Sequence, residues 1–342
     1  MSTRVRLSTD RSDVGPASAL VAQRPPTTVA DALALALDLA SLGGVPGDGS
    51  TLDQWEALAT VAAADLGAAR ALEPHLDAIA ILRQAEVEPP AGTFGVFAAE
   101  GGDDPLVATE TGGKWSLAGT KPWCSLAGRL DAALITASAG DGPRRLFAVE
   151  LTHPGVTVLP GAWAARGLVE IPSGPVHFDG VPAAPVGEPG WYLNRPGFAW
   201  GGIGVAACWH GGAVGIARTV HAAAVSNGAS TKPNPHLLAH LGATDELLQS
   251  SRRALAEAAA VIDGEDATVE PRLLAKRVRA TVARVCEETI DRAGHALGPA
   301  PLALDETHAK RVADLALYVR QHHAERDQQS LGEALAKEDA PW

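Results

Sequence analysis

"KWSLAGTKPWCSLAGRLDAALITA", Lys114 to Ala137, is the stretch on which the fold turns. In its first part Trp115 and Leu117 alternate with polar residues, the period of a half-buried strand. It ends in the apolar run Ala132 to Ala137. Outward from it, Arg145 to Leu151, Val156 to Leu159 and Pro175 to Phe178 are further short apolar runs, with Gly or Pro between them. From Thr93 to Pro189 this spacing predicts an all-β segment of about five to eight strands, a small barrel or sandwich.

On either side the pattern is helical. From Thr28 to Glu88, Ala and Leu dominate, and Trp55, Leu58, Val61, Leu66, Leu72, Leu76, Ile79 and Leu82 carry the periodicity. Gly43 to Gly49 reads as a loop, with Ser50 or Thr51 able to cap the next helix. Pro89-Pro90-Ala91-Gly92 breaks the pattern. After Trp191, helices are expected near 197–227, 235–263, 270–297 and 305–335, jointed at Pro233, Pro235, Gly264 and Gly298-Pro299. The fold class is therefore α+β multidomain. It has a flexible tail over 1–26, an N-terminal helical domain over 27–90, a middle β domain over 91–190 and a C-terminal helical bundle over 191–336.

The chain has 342 residues, 46% of them hydrophobic and 20% charged, as in a globular body of more than one domain. Its formal charge of −12 disfavours a broad nucleic-acid footprint. The three cysteines, Cys124, Cys208 and Cys286, are far apart, so no CxxC motif exists, and reduced thiols in a cytoplasmic protein are expected. Phe198 to Ala217 is uncharged and long enough to span a bilayer, but Gly and Ala make it weakly hydrophobic. A buried helix packed closely through small residues is the expectation. The formal GxGxxA at Gly202 to Ala207 lacks the preceding strand and the later acid of a dinucleotide site.

Lys114 to Ala137 resembles the acyl-CoA dehydrogenase family, whose middle domain carries W-x-L-x-G-x-K-x-W-I-T-N followed by A-D-x-x-x-V-x-A. "FAAEGGDD", Phe97 to Asp104, resembles the family's T-E-P-x-x-G-S-D, and "GGAVGIART", Gly211 to Thr219, the start of its long helix. The resemblance runs over roughly Gly95 to Arg326. It implies an acyl-CoA dehydrogenase-like fold with FAD between the β domain and the C-terminal bundle. It places Trp123 and Ser125 beside the flavin ring; a period of two puts both on one strand face. At Ala99 the family's threonine hydroxyl is lost, and the resemblance leaves backbone groups of Ala98 and Ala99 to meet the flavin. The family's R-x-x-F-G is replaced by "NGASTKPNPHLL", where Lys232 is the nearest cation.

"RVADLALYVRQHHAERD" resembles the family's closing R-D-A-R-x-x-x-I-x-E-G-T. Setting Asp314 on the family's Asp puts His322 where relatives keep the glutamate that removes the substrate α-proton; Glu325 takes that place if the segment slips by one turn. Independently, Val312, Leu315, Val319 and His322 share one helical stripe, and Glu325 lies three residues further along. A solvated, charged helix end is the competing reading. Shared metal ligation is disfavoured, because adjacent helical residues diverge by ~100°.

The resemblance thus implies a flavin-dependent oxidoreductase performing α,β-dehydrogenation of an acyl thioester, with hydride passing to FAD. The alternatives are a flavin-dependent monooxygenase on the same fold and a catalytically degenerate scaffolding subunit. Expected partners are acyl-CoA or a related small molecule and an electron-transfer protein, with no nucleic acid, membrane span or metal. A homo-oligomer, or a subunit of a related hetero-oligomer, is implied as well.

Overall fold

The computed structural model describes residues 4–9, 14–161, 163–228, 234–264 and 270–337. Lys232 lies outside them. Four helices come first: α1 Pro16–Gln23, α2 Val29–Ser41, α3 Thr51–Ala64 and α4 Leu66–Gln84. The expected flexible tail is corrected here. Val5 and Leu7 are buried, because α3 offers polar partners to their backbone. Val5 N–H donates to Thr60 Oγ1 at 3.0 Å and Leu7 N–H to Glu56 Oε1 at 2.8 Å. Glu56 is also the counter-charge of Arg4 and Arg6. The free N–H groups that open α1 find Asp53, at 2.7 Å from Ala17 and 3.0 Å from Ser18.

Helix α3 departs from its expected cap as well. Ser50 stands at the N-cap but makes no capping bond. Asp263, distant in sequence, accepts from Thr51 N–H at 3.0 Å instead. The cap is tertiary, so a local pattern could not reveal it.

Among the described residues seven strands follow: β1 Phe94–Phe97, β2 Val107–Thr111, β3 Lys114–Lys121, β4 Ala132–Ala137, β5 Arg145–Glu150, β6 Val156–Val158 and β7 Val176–Val186. Their order is β1-β4-β5-β7-β3-β2, with β6 also on β7. Only β1 and β4 run parallel. The long β7 pairs with β3 through its first part and with β5 through its end, and a bridge from Val107 to Ser138 brings β2 back toward β4. The result is barrel-like. Gly119, at φ +111°, supplies a bulge in β3 where any Cβ would strike the Pro105 carbonyl oxygen.

The chain then returns to helices: α5 Trp191–Asn194, α6 Pro196–Gly228, α7 Pro235–Asp263, α8 Pro271–Leu297, α9 Ala300–Leu304, α10 Glu306–Tyr318 and α11 Glu325–Leu335. Helix α6 packs on α3, α7, α8 and α10. Its small residues serve that packing: Cβ atoms at Gly211 and Gly215 would meet the Ala59 and Ala63 carbonyl oxygens at 2.3 and 2.8 Å. Among the described residues no helix is long and apolar enough to cross a membrane. The expected single helix over 305–335 is broken. A 3₁₀ turn at Val319–Gln321 ends in extended His322, and Ala324 sits at φ 44° before α11 begins. No Gly or Pro marks this break, so the sequence carried no breaker signal.

Candidate active site

The β domain meets the helices at the turn after β3. Pro122 has no N–H to extend the ladder, and Trp123 and Leu126 take left-handed φ values of 60° and 59°. This corrects the expectation that Trp123 and Ser125 share a strand face. They lie in a turn and point apart: Trp123 is 63% exposed and Ser125 is buried. The turn is held by Gly174 and Pro172, whose carbonyls accept from Cys124 N–H and Leu126 N–H, each at 2.9 Å. Ala98 is half-buried and packs on the cluster around Phe94, and Ala99 is exposed just beyond β1.

From Ser125 a run of contacts leads through the helices to His322. Ser125 Oγ accepts from Arg70 Nη2 at 3.0 Å. The Arg70 guanidinium lies 5.6 Å from the Tyr318 ring centroid. Tyr318 meets Trp209 edge-on at 6.2 Å, and Arg279 covers Trp209 at 4.7 Å. Arg279 in turn donates to the Gly202 carbonyl at 2.6 Å and the Gln321 carbonyl at 3.0 Å. Helices α4, α6, α8 and α10 each contribute one or more of these residues.

This polar chain is incompletely satisfied. Tyr318 Oη, Trp209 Nε1 and His322 Nε2 are buried and find no hydrogen-bond partner among the described residues. Glu73, one turn from Arg70 on α4, is buried too. Desolvation, reinforced by Asp77, pushes its carboxyl up to about 8 against the pull of Arg70 and Arg279. Near neutral pH it is therefore mostly protonated, a donor rather than a charge. Asp77 has its own cation, Arg195, at 3.6 Å. A void of about 10 Å³, room for one water, lies where Arg70, Pro74, Phe97, Ser125 and Leu126 converge. The larger groove, about 560 Å³, lies elsewhere, among Leu37, His75, Arg83 and Glu86–Gly92, and none of the expected site residues lines it.

The stripe predicted to carry His322 inward is present up to the break. Leu315 and Val319 are buried, and His322 is half-buried. Burial, then the neighbouring Arg279 and His323, holds its imidazole below the ordinary value, with Asp327 and Glu287 opposing. His322 is therefore neutral near pH 7, the form that accepts a proton. Glu325 is exposed in the first turn of α11, and among the described residues no hydrogen bond joins it to His322. Asp327 is the acid that acts on both histidines; His323, exposed, has it 3.5 Å away. No group of three potential metal ligands occurs among the described residues.

Sequence reasoning missed Arg70, Glu73, Arg279 and Tyr318. A signal existed for the first two: charges at i and i+3 on a helix otherwise rich in Ala and Leu are placed together. Nothing local could pair them with residues of α8 and α10.

The fold is that of acyl-CoA dehydrogenase-like proteins. Butyryl-CoA dehydrogenase from Megasphaera elsdenii superposes with a TM-score of 0.77 at 18% identity, over 92% of this chain and 94% of that one. KijD3, in a complex with FMN and a dTDP-linked amino keto sugar, gives 0.73 at 20% identity, over 98% and 91%. TdsC from Paenibacillus sp. A11-2, a dibenzothiophene monooxygenase, gives 0.73 at 20% identity in its complex with FMN and indole, over 94% of this chain and 90% of that one. No protein-family model and no curated protein matches the chain.

The residues present fit a flavin by stacking rather than by hydroxyl donation. Trp123 holds an open indole face on a backbone that a bulky residue rarely adopts. The Ser125 hydroxyl is engaged: Ser173 Oγ is 2.7 Å away and itself donates to the Ile171 carbonyl at 3.1 Å, so the Ser125 proton points to Ser173.

Proposed function

We propose that this chain is a flavin-dependent oxidoreductase in which His322 accepts a proton from a small-molecule substrate. The observation that carries this reading is the place of His322: a neutral, half-buried imidazole in a helix break, at the end of a buried polar chain that begins at Ser125 in the β domain. A bound flavin supplies a two-electron acceptor for hydride. Trp123 offers it an aromatic face, and Ala98 and Ala99 offer backbone groups. FAD and an acyl thioester are the first assignment: His322 takes the proton α to the carbonyl as hydride leaves the β-carbon, in a cytoplasmic homo-oligomer served by an electron-transfer partner. His322 holds the proton at Nε2 or Nδ1 with no carboxylate bonded to it among the described residues, and Glu325 enters only if the break rearranges.

A second reading, oxygenation of a polar substrate with FMN or FAD, has its own support. The helical wall next to Ser125 carries Arg70, Glu73 and Tyr318, which suit oxygen- or nitrogen-bearing groups better than an alkyl chain. Titration of the purified protein with FAD and with FMN, followed by absorbance and fluorescence, tests the shared premise. Spectra that stay those of free flavin overturn it and leave the scaffolding subunit. Anaerobic bleaching of the flavin by butyryl-CoA supports dehydrogenation. Absence of bleaching, with substrate-dependent oxygen uptake when reduced flavin is supplied, supports oxygenation.

A further inference from the structure

The helix break that carries His322 is held from outside its own segment. Val319–Gln321 forms a 3₁₀ turn, whose last bond runs from His322 N–H to the Val319 carbonyl at 2.9 Å. Beyond it, Ala324 is in a left-handed region that a residue with a Cβ seldom adopts, so the segment needs an anchor to stay there. Arg279 of α8 is the group in reach. Its guanidinium uses one arm on the Gly202 carbonyl of α6 at 2.6 Å and the other on the Gln321 carbonyl at 3.0 Å, while its face lies 4.7 Å from the Trp209 ring centroid. No carboxylate forms a salt bridge with Arg279 among the described residues, whereas Arg195, also buried, has Asp77 at 3.6 Å. Its two arms are spent on two carbonyls of two different helical segments. A fork of fixed geometry can make both bonds at once; a lysine ammonium on a flexible stem cannot hold that planar arrangement.

We propose that Arg279 is the positioning residue of the base: it clamps the Gln321 carbonyl to α6 and so fixes where the His322 ring lies relative to the Ser125 turn. This rests on the reading of His322 as base. The charge of Arg279 has a second effect. It disfavours imidazolium at His322, in the same direction as burial, while Asp327 of α11 and Glu287 of α8 oppose it and His323 adds to it. Two further charges near the segment have partners: Arg320 is paired with Glu287, and Lys276 of α8 donates to the Ser330 carbonyl at 2.9 Å.

The test reads the protein as purified, with no substrate. The His322 Cε1–H resonance, assigned by its loss in His322→Gln, is titrated in wild type, Arg279→Gln and Arg279→Lys. Amide hydrogen exchange over 319–325 is followed in parallel. Arg279→Gln removes the charge and the fork; the His322 midpoint is expected to rise, and exchange over 319–325 to quicken at least about tenfold, as for a segment released to local opening. Arg279→Lys keeps the charge and loses the fork; the midpoint is expected to stay low while exchange quickens. If Arg279→Gln does not fold, the lysine variant alone decides. Exchange over 319–325 unchanged in Arg279→Lys overturns the clamp, and so does an unmoved His322 midpoint in a folded Arg279→Gln. Failure of the base reading looks different: His322→Ala then keeps full turnover while the exchange and titration effects of Arg279 stand.

Discussion

Two of the junctions between the β domain and the helices treat polar groups in opposite ways. At the first, Lys310 of α10 reaches Asp314 at 2.6 Å, Glu170 at 2.7 Å and Asp65 at 3.1 Å. Asp314 also accepts from Leu168 N–H at 2.6 Å. The backbone at Gly167 approaches α10 so closely that a Cβ there would stand 2.1 Å from the Ala313 carbonyl oxygen. One cation thus ties the N-terminal helices, the loop before β7 and α10 together. At the second junction, Tyr318, Trp209 and His322 keep buried polar atoms without partners, and Glu73 is buried and mostly neutral. An orphaned buried donor costs about 1–3 kcal/mol. The first joint is held by paired charges, whereas the second leaves three buried polar atoms without partners among the described residues.

The largest effect that sharpens this contrast is kinetic. If His322 is the base, His322→Ala lowers turnover by about 10²–10⁴-fold, the usual contribution of a general base, while His323→Ala, whose ring is exposed beside Asp327, changes it little. The pH profile of the wild type follows from the sign of the shift. His322 is held below its ordinary value, so activity falls only as the medium becomes acidic enough to charge it, at a pH below the usual histidine midpoint. Equal losses in both variants would remove the special status of the second junction.

The next effect belongs to the first junction. The two ends of the Lys310–Asp314 contact give opposite indications: the carboxylates hold the lysine above its usual range, but burial pushes the Asp314 carboxyl up. The 2.6 Å contact and the Leu168 bond decide for a working pair. Asp314→Ala orphans the Leu168 N–H and leaves Lys310 its two more exposed partners. A loss of about 2–4 kcal/mol is expected, read as a lower urea midpoint with an unchanged slope. A loss under about 0.5 kcal/mol would show that the joint is held by packing alone.

Much of this architecture was legible in the sequence and the site much less so. The alternation at Trp115 and Leu117 and the Gly and Pro spacing announce a β domain between helices because strand and helix periods are local. The period-two expectation misplaces Trp123 and Ser125 for an equally local reason: it continues past Pro122, where the ladder stops. The break at His322 to Ala324 was invisible because its cause, Arg279, lies on another helix. The expected tail failed alike, since Glu56 and Thr60 hold it from α3. What sequence periodicity misses here is the set of bonds made across long separations.

A third effect is a pH dependence with a definite sign. The folded-state carboxyl of Glu73 titrates at about 8, above the ordinary glutamate value, so its contribution to stability is fully present below about 4.5 and is lost as pH rises through about 8. Glu73→Gln removes that loss. Its melting temperature should exceed the wild type's at pH 8.5 by about 2–4 °C for each kcal/mol relieved, and the gap should close by pH 5. A wild-type protein equally stable relative to Glu73→Gln at both pH values would mean that Arg70 and Arg279 keep the carboxylate charged.

The smallest effect discriminates most finely. The Tyr318 hydroxyl is buried with no partner, so in the protein without ligand Tyr318→Phe removes an unmet polar group and leaves the ring contacts with Trp209 and Arg70 in place. Deleting such a group recovers part of the cost of an orphaned donor, so Tyr318→Phe is expected to be more stable without ligand, by up to about 1 kcal/mol. The same variant should weaken binding of whatever ligand supplies the missing acceptor, by about 1 kcal/mol or roughly fivefold in Kd. The two measurements together matter more than either alone. Destabilisation of more than about 1 kcal/mol without ligand would mean that the hydroxyl already has a partner, a water held within the helices. The second junction would then be as fully satisfied as the one around Lys310, and the difference between them would lie in the chemistry of the partners rather than in a place kept open.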